Sequence, residues 1–159
     1  MTNNFGKQVE AFVKETELRL RLVLREAVQE TVSRAQRVMI RPEASPEAIL
    51  QSALEGGDGR MPVVTGFLRA SILAAIDKIP SGQSDNPGKE KFAVGSYVGE
   101  PISVALLKWD PNRDETLYVG WTAHYAKYVE AHRGFLQGAV ELWDVNVKKA
   151  VKNVERTRG

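Results

Sequence analysis

His124 and His132 are the two histidines of the chain. Eight residues apart, with Glu130 nearby, they fall on roughly similar sides of one continuous helix, where two imidazoles begin to resemble a metal site. A zinc centre needs a third ligand and converging geometry, and the His-Glu-x-x-His spacing is missing. Cysteine is absent, which removes thiolate zinc sites, disulfides and cysteine nucleophiles together. Ser71 and Ser96 lack a Gly-x-Ser-x-Gly setting, so neither reads as a nucleophile. Gly56-Gly57-Asp58-Gly59 lacks the lysine and spacing of a phosphate-binding loop. Carboxylates such as Glu130 and Asp144 are scattered over helical faces, where solvation or pairing is their ordinary role. The chain does not read as an enzyme, and no catalytic residue, cofactor or metal is expected.

Charge offers one further candidate. Net charge is only +2, yet Lys148, Lys149, Lys152, Arg156 and Arg158 crowd together with Glu155 as the one acid among them. Such cations complement the negative end of a helix dipole. They also suit nucleic acid, but no aromatic side chain lies among them to stack on bases, which favours the dipole reading. A soluble nucleic-acid-binding module using this basic helix is the alternative function.

The elements that would carry these residues follow from periodicity. Phe5, Val9, Phe12, Thr16, Leu20, Val23, Ala27, Thr31, Ala35 and Val38 recur at steps of three and four, one apolar stripe on a helix. Asn3 or Asn4 can cap its start, and Pro42 predicts its end near Arg41. Such a helix would be about 55 Å long, against roughly 30–40 Å for a compact domain of this size. Part of the stripe must overhang its own core or pack on another subunit, with Phe12 and Leu20 as interface candidates. Leu18, Leu22 and Leu24 widen the apolar surface, which favours burial on two sides there.

Glu43–Leu54 reads as a short helix with Ser45 and Pro46 at its start. Ser71–Ile79 fits helix or strand. Ser81–Lys91, rich in glycine, proline and asparagine, predicts an exposed, mobile loop. Phe92–Val98, Ile102–Trp109 and Thr116–Trp121 read as strands of an antiparallel meander. Ala123–His132 and Phe135–Thr157 read as helices separated by Gly134. The expected fold is α+β: a long N-terminal helix packed on a small antiparallel sheet, with a C-terminal helix. The 159 residues fit one domain, with residues 1–41 as the long helix, 61–139 as the core with the sheet and 134–157 as the final helix. Met1–Gly6 is polar and no run approaches the roughly 20 apolar residues that span a bilayer, so a soluble protein with no membrane contact is expected.

Two segments stand out. In Met61-Pro62-Val63-Val64-Thr65-Gly66-Phe67-Leu68-Arg69-Ala70-Ser71-Ile72, Pro62 sets an extended approach and Thr65-Gly66 a turn. Thr65 can accept from backbone N–H groups, and Gly66 permits a conformation closed to larger residues. Leu68 and Ile72 then point inward and Arg69 outward. In the second segment Tyr118-Val119-Gly120-Trp121 ends a strand, and Ala123-His124-Tyr125-Ala126-Lys127-Tyr128-Val129-Glu130 presents Tyr125 and Tyr128 on a short helix before Phe135. Packing of these tyrosines on the sheet is favoured over interface contact.

In order and spacing these segments resemble a family of minor structural proteins of long-tailed bacteriophages, described as tail-completion, head–tail joining or putative tail-component proteins. Thr65, Gly66, Leu68, Arg69 and Ser71 match its first motif, and Tyr125, Ala126, Tyr128, Val129 and Glu130 its second. Val64 replaces an acid usual in the family, and His132-Arg133 replaces a glycine-rich stretch. The resemblance covers about residues 61–139. It implies a non-enzymatic virion protein of the neck, assembled in the host bacterial cytoplasm. Its subunits would form a homo-oligomeric ring, commonly sixfold, between a head-closure or adaptor protein and the tail terminator or tail tube. Contact with DNA in the central channel would be transient and non-specific.

Overall fold

The computed structural model describes residues 2–38, 46–47 and 59–158. Helix α1 spans Thr2–Ala35 and α2 is a single turn, Phe67–Ala70. Strand β1, Ile72–Ile76, pairs with β2, Leu117–Trp121, as a two-stranded antiparallel sheet. Between them lies α3, Ile102–Lys108. Helices α4, Ala126–Arg133, α5, Phe135–Val140, and α6, Trp143–Arg158, close the chain. The fold is α+β, with a long N-terminal helix, a small antiparallel sheet and a C-terminal helix.

At 34 residues α1 is about 51 Å long. Leu24, Val28 and Val32 pack it onto the sheet, in a cluster with Ile72, Ile102, Leu106 and Trp109. Leu22 and Glu26 face α6 instead, where Asn153 Nδ2 donates to Glu26 Oε1 at 3.0 Å. The middle of α1 is thus flanked on two sides, as its extra leucines predict. Arg25 Nη2 donates to the carbonyls of Leu107 and Trp109 at 2.6 and 2.8 Å, so a cation of α1 satisfies open carbonyls at the end of α3. A second cluster joins Ala35, Met61, Phe67, Leu68, Ala123, Phe135 and Ala139, with Trp121 touching both.

Several boundaries differ from the sequence expectation. Asn3 and Asn4 lie inside the first turn of α1 rather than capping it. The helix stops at Ala35, before Arg41, because the next carbonyls take tertiary partners: Arg37 O accepts from Met61 N and Val38 O from Gly59 N. Pro46 and Glu47 are helical, and the remainder of the expected Glu43–Leu54 helix lies outside the described residues, as does Pro42.

The expected three-strand meander is corrected more deeply. Ile102–Lys108 is helix, since Ile102, Ala105 and Leu106 are buried at a spacing of three and four. That period outweighs the β-preference of its isoleucine and valine. Phe92–Val98 forms no strand; a turn through Gly95 (φ 81°) separates the Phe92 N–Thr65 O bond from the Val98 N–Ala70 O bond. The second strand comes instead from the segment left open, Ser71–Ile79. The predicted Phe135–Thr157 helix is broken at Glu141–Leu142 into α5 and α6. Leu142 and Trp143 are exposed at the break, while Asn146 is fully buried. Its Nδ2 donates to Thr31 Oγ1 of α1 at 2.9 Å.

Candidate functional site

Ser71 joins the two singled-out segments. Its side chain is buried; Oγ donates to Leu68 O at 2.7 Å and accepts from Ala123 N at 3.2 Å. Its carbonyl accepts from Thr122 N and Thr122 Oγ1 at 3.0 and 3.1 Å. The role is structural, because both faces of the hydroxyl are occupied by main chain and no base stands beside it. Ser71→Ala leaves the buried Ala123 N–H without its acceptor, at a cost of about 2 kcal/mol. A lowered urea midpoint with unchanged m-value is the expected result.

Gly66 has φ 83°, the left-handed conformation anticipated for it. A Cβ there would collide with Phe92 O, whose residue also donates to Thr65 O at 2.7 Å. Thr65 Oγ1 accepts from Phe67 N at 3.3 Å, but the cap position belongs to Gly66, so Thr65 stands one residue outside it. Leu68 and Ile72 are buried, and Arg69 is partly exposed with its carbonyl accepting from Gln36 Nε2.

In the second segment Tyr125 packs on Phe67, ring centroids 6.4 Å apart. Burial raises its phenol above the ordinary range, opposed by a backbone hydrogen bond with Leu68. Tyr125 therefore packs on the first segment, whereas Tyr128 is 60% exposed beneath Lys127. Glu130 has a role that sequence reading missed. Its Oε2 accepts from Leu136 N at 2.8 Å and Oε1 from Gln137 N at 2.9 Å, capping α5 across Gly134 (φ 60°). The signal was present: an acid followed by glycine and a new apolar run. Glu130→Ala is expected to cost about 1 kcal/mol, read as a lower melting temperature.

The histidines do not share one helix: α4 begins at Ala126, so His132 lies on it and His124 precedes it. His124 Nδ1 lies 2.8 Å from Asp85 Oδ1, and His124 N donates to Ser84 O. With Thr122 Oγ1 bonded to Gln83 O at 2.7 Å, these contacts tether the loop expected to be mobile. Among the described residues no group of three or more His, Asp or Glu could hold a metal ion. No helix among them is long and apolar enough to cross a membrane.

An unpartnered apolar surface lies on α1 among the described residues. Residues 4–14 are all exposed, and Phe5 and Phe12 are 74% and 72% exposed. Among the described side chains of α1, Glu15 is the first bonded to another element, through Arg158 at 3.0 Å. Val9, Val13 and Leu20 continue the exposed stripe, and a shallow pocket of about 180 Å³ forms between Phe12, Leu20 and Asn112. The C-terminal cations divide. Lys149 pairs with Glu30 at 2.8 Å and Arg158 with Glu15, while Lys148 and Lys152 are exposed and Arg156 lines the cleft toward Leu22 and Glu26 of α1. Scanned against protein-family models, curated proteins and solved structures, the chain matches none.

Proposed function

We propose that this chain is a structural subunit of a phage or phage-like neck, one member of a homo-oligomeric ring between head-closure and tail proteins. The observation that carries the reading is the overhang of α1, whose first third extends past its own core with Phe5, Val9 and Phe12 uncovered. An apolar stripe on a helix is stable in water when another surface covers it, and a neighbouring subunit is the economical cover. The motif residues fit a role without chemistry: Ser71, Gly66 and Glu130 are engaged by main chain and hold the subunit's shape.

Native mass spectrometry of the purified chain, with imaging of particles carrying a labelled copy, tests the reading. Closed oligomers of one size and label at the head–tail junction are expected. A strict monomer at all concentrations, with label elsewhere, overturns it. The alternative, a nucleic-acid-binding module, draws on the exposed cations of α6. In a channel they would touch DNA only weakly, and affinity would fall steeply with salt. Tight, sequence-selective binding at physiological salt favours the alternative.

A further inference from the structure

The cavity of about 570 Å³ along the outer edge of β1 lies away from the α1 overhang. Its size falls within the roughly 300–1,000 Å³ of pockets that enclose a ligand. Strand register determines what this edge offers. Ser71 O accepts from Thr122 N, and Asp77 N donates to Thr116 O, so odd-numbered residues of β1 bond to β2. In an antiparallel pair the intervening residues turn their N–H and C=O groups the other way. Ile72, Ala74 and Ile76 therefore direct main-chain donors and acceptors outward, where no strand pairs with them among the described residues.

The edge is also the floor of a groove. Residues 78–83 form one wall; Val98, Gly99 and Glu100, with Ala105 and Lys108 of α3, form the other. Val98 N donates to Ala70 O, so the chain starts to run beside β1 and then departs into α3. Leu73 fills the space between Gly82 and Gly99, where an added Cβ would lie 2.6 and 2.7 Å from its methyls. Beyond Leu73 the groove remains open along Ala74 and Ile76.

Charge selects the occupant. Lys78 follows β1 closely, and Lys108 ends α3, which the Trp109 Nε1–Glu115 O bond (3.1 Å) holds near the Asp77 end of the strand. Two lysines with no ion-pair partner among the described residues thus stand toward one end of the groove, and Glu100 stands toward the other, beside Val98. We propose that this groove binds an extended, acidic segment of another protein, added to β1 as a third strand with its carboxylates toward Lys78 and Lys108. Main-chain bonds to Ala74 and Ile76 supply binding that tolerates many sequences, and the lysines supply selection for acids. The inference goes beyond the neck reading and does not rest on it.

The probe is a blocked valine–glutamate–valine–glutamate–valine pentapeptide, titrated into the full chain while backbone amides are followed by NMR. The amides of Ala74 and Ile76, which line the open groove, are expected to shift most and to exchange more slowly. Affinity should exceed that of the matching lysine pentapeptide about tenfold. Lys78→Glu combined with Lys108→Glu should reverse the preference. Both positions are exposed, so the double variant keeps the fold. Equal binding of both peptides, or no shift at those two amides, overturns the proposal. Protection of the same amides that rises with protein concentration, without peptide, also overturns it and assigns the groove to a second copy.

Discussion

Gly66→Ala is expected to destabilise the chain by about 3 kcal/mol or more, enough to leave a large unfolded fraction in a marginally stable domain. The left-handed conformation alone costs an L-residue about 1–2 kcal/mol. The rest comes from the collision of the new Cβ with Phe92 O, which must be relieved by moving Phe92. That movement lengthens the Phe92 N–Thr65 O bond and shifts a ring packed, tilted by 51°, at 5.9 Å from Phe67 in the core. Gly95→Ala is the internal control. Its φ is 81°, yet nothing lies within 4 Å of a Cβ there, so only the conformational cost applies. Urea denaturation of the two variants should therefore separate them by at least about 1 kcal/mol. Equal losses would show that the close approach to Phe92 is not what Gly66 provides.

The second large effect is on assembly. Phe12→Asp and Leu20→Asp alter side chains that are 72% and 47% exposed, so each subunit should keep its stability to within about 0.5 kcal/mol. Covered by a neighbour, the stripe from Phe5 to Leu20 would bury a few hundred Å² of apolar surface per subunit. At about 25 cal/mol per Å² that contributes several kcal/mol before association costs. A carboxylate within such an interface should weaken association by about 100-fold or more. Deleting Asp85–Gly88 should do less harm. That segment is exposed apart from partly covered Asn86, and its tethers run to His124 of the same chain. Native mass spectrometry and a head–tail joining assay read both outcomes. Normal joining by both folded aspartate variants would remove α1 from the interface.

The long helix, the turn at Gly66, the inward Leu68 and Ile72 and the separator Gly134 were all legible in the sequence. Each depends on a local rule: a period near 3.6, or a backbone angle that glycine adopts cheaply. The sheet was misread for a physical reason. Isoleucine, valine and tyrosine in 92–109 favour extended backbone, but Leu106 and Trp109 fill the cluster under α1 only if Ile102–Lys108 winds as a helix. Asn146 was passed over because a polar residue in a helical pattern reads as exposed. Its burial depends on Thr31, 115 residues away, which no local pattern reveals. For the candidate site, the sequence marked Ser71 and Glu130 by motif without their hydrogen-bond partners, which come from distant or following backbone.

The pairing of α1 with α6 has a consequence for how the chain reaches its native state. Thr31 meets Asn146, and Glu15 meets Arg158, 143 positions further along. Contacts of such separation form late, because the intervening chain must first be ordered. On the ribosome the flank of α1 that packs on the sheet could be covered once β2 had been made, but the flank that meets α6 would stay uncovered until α6 followed. A nascent or truncated chain would thus offer a sticky helix to chaperones and proteases. The exposed stripe from Phe5 to Leu20 would be presented on a fixed scaffold only once synthesis had passed α6, so that any neighbour it meets would meet a fully folded chain.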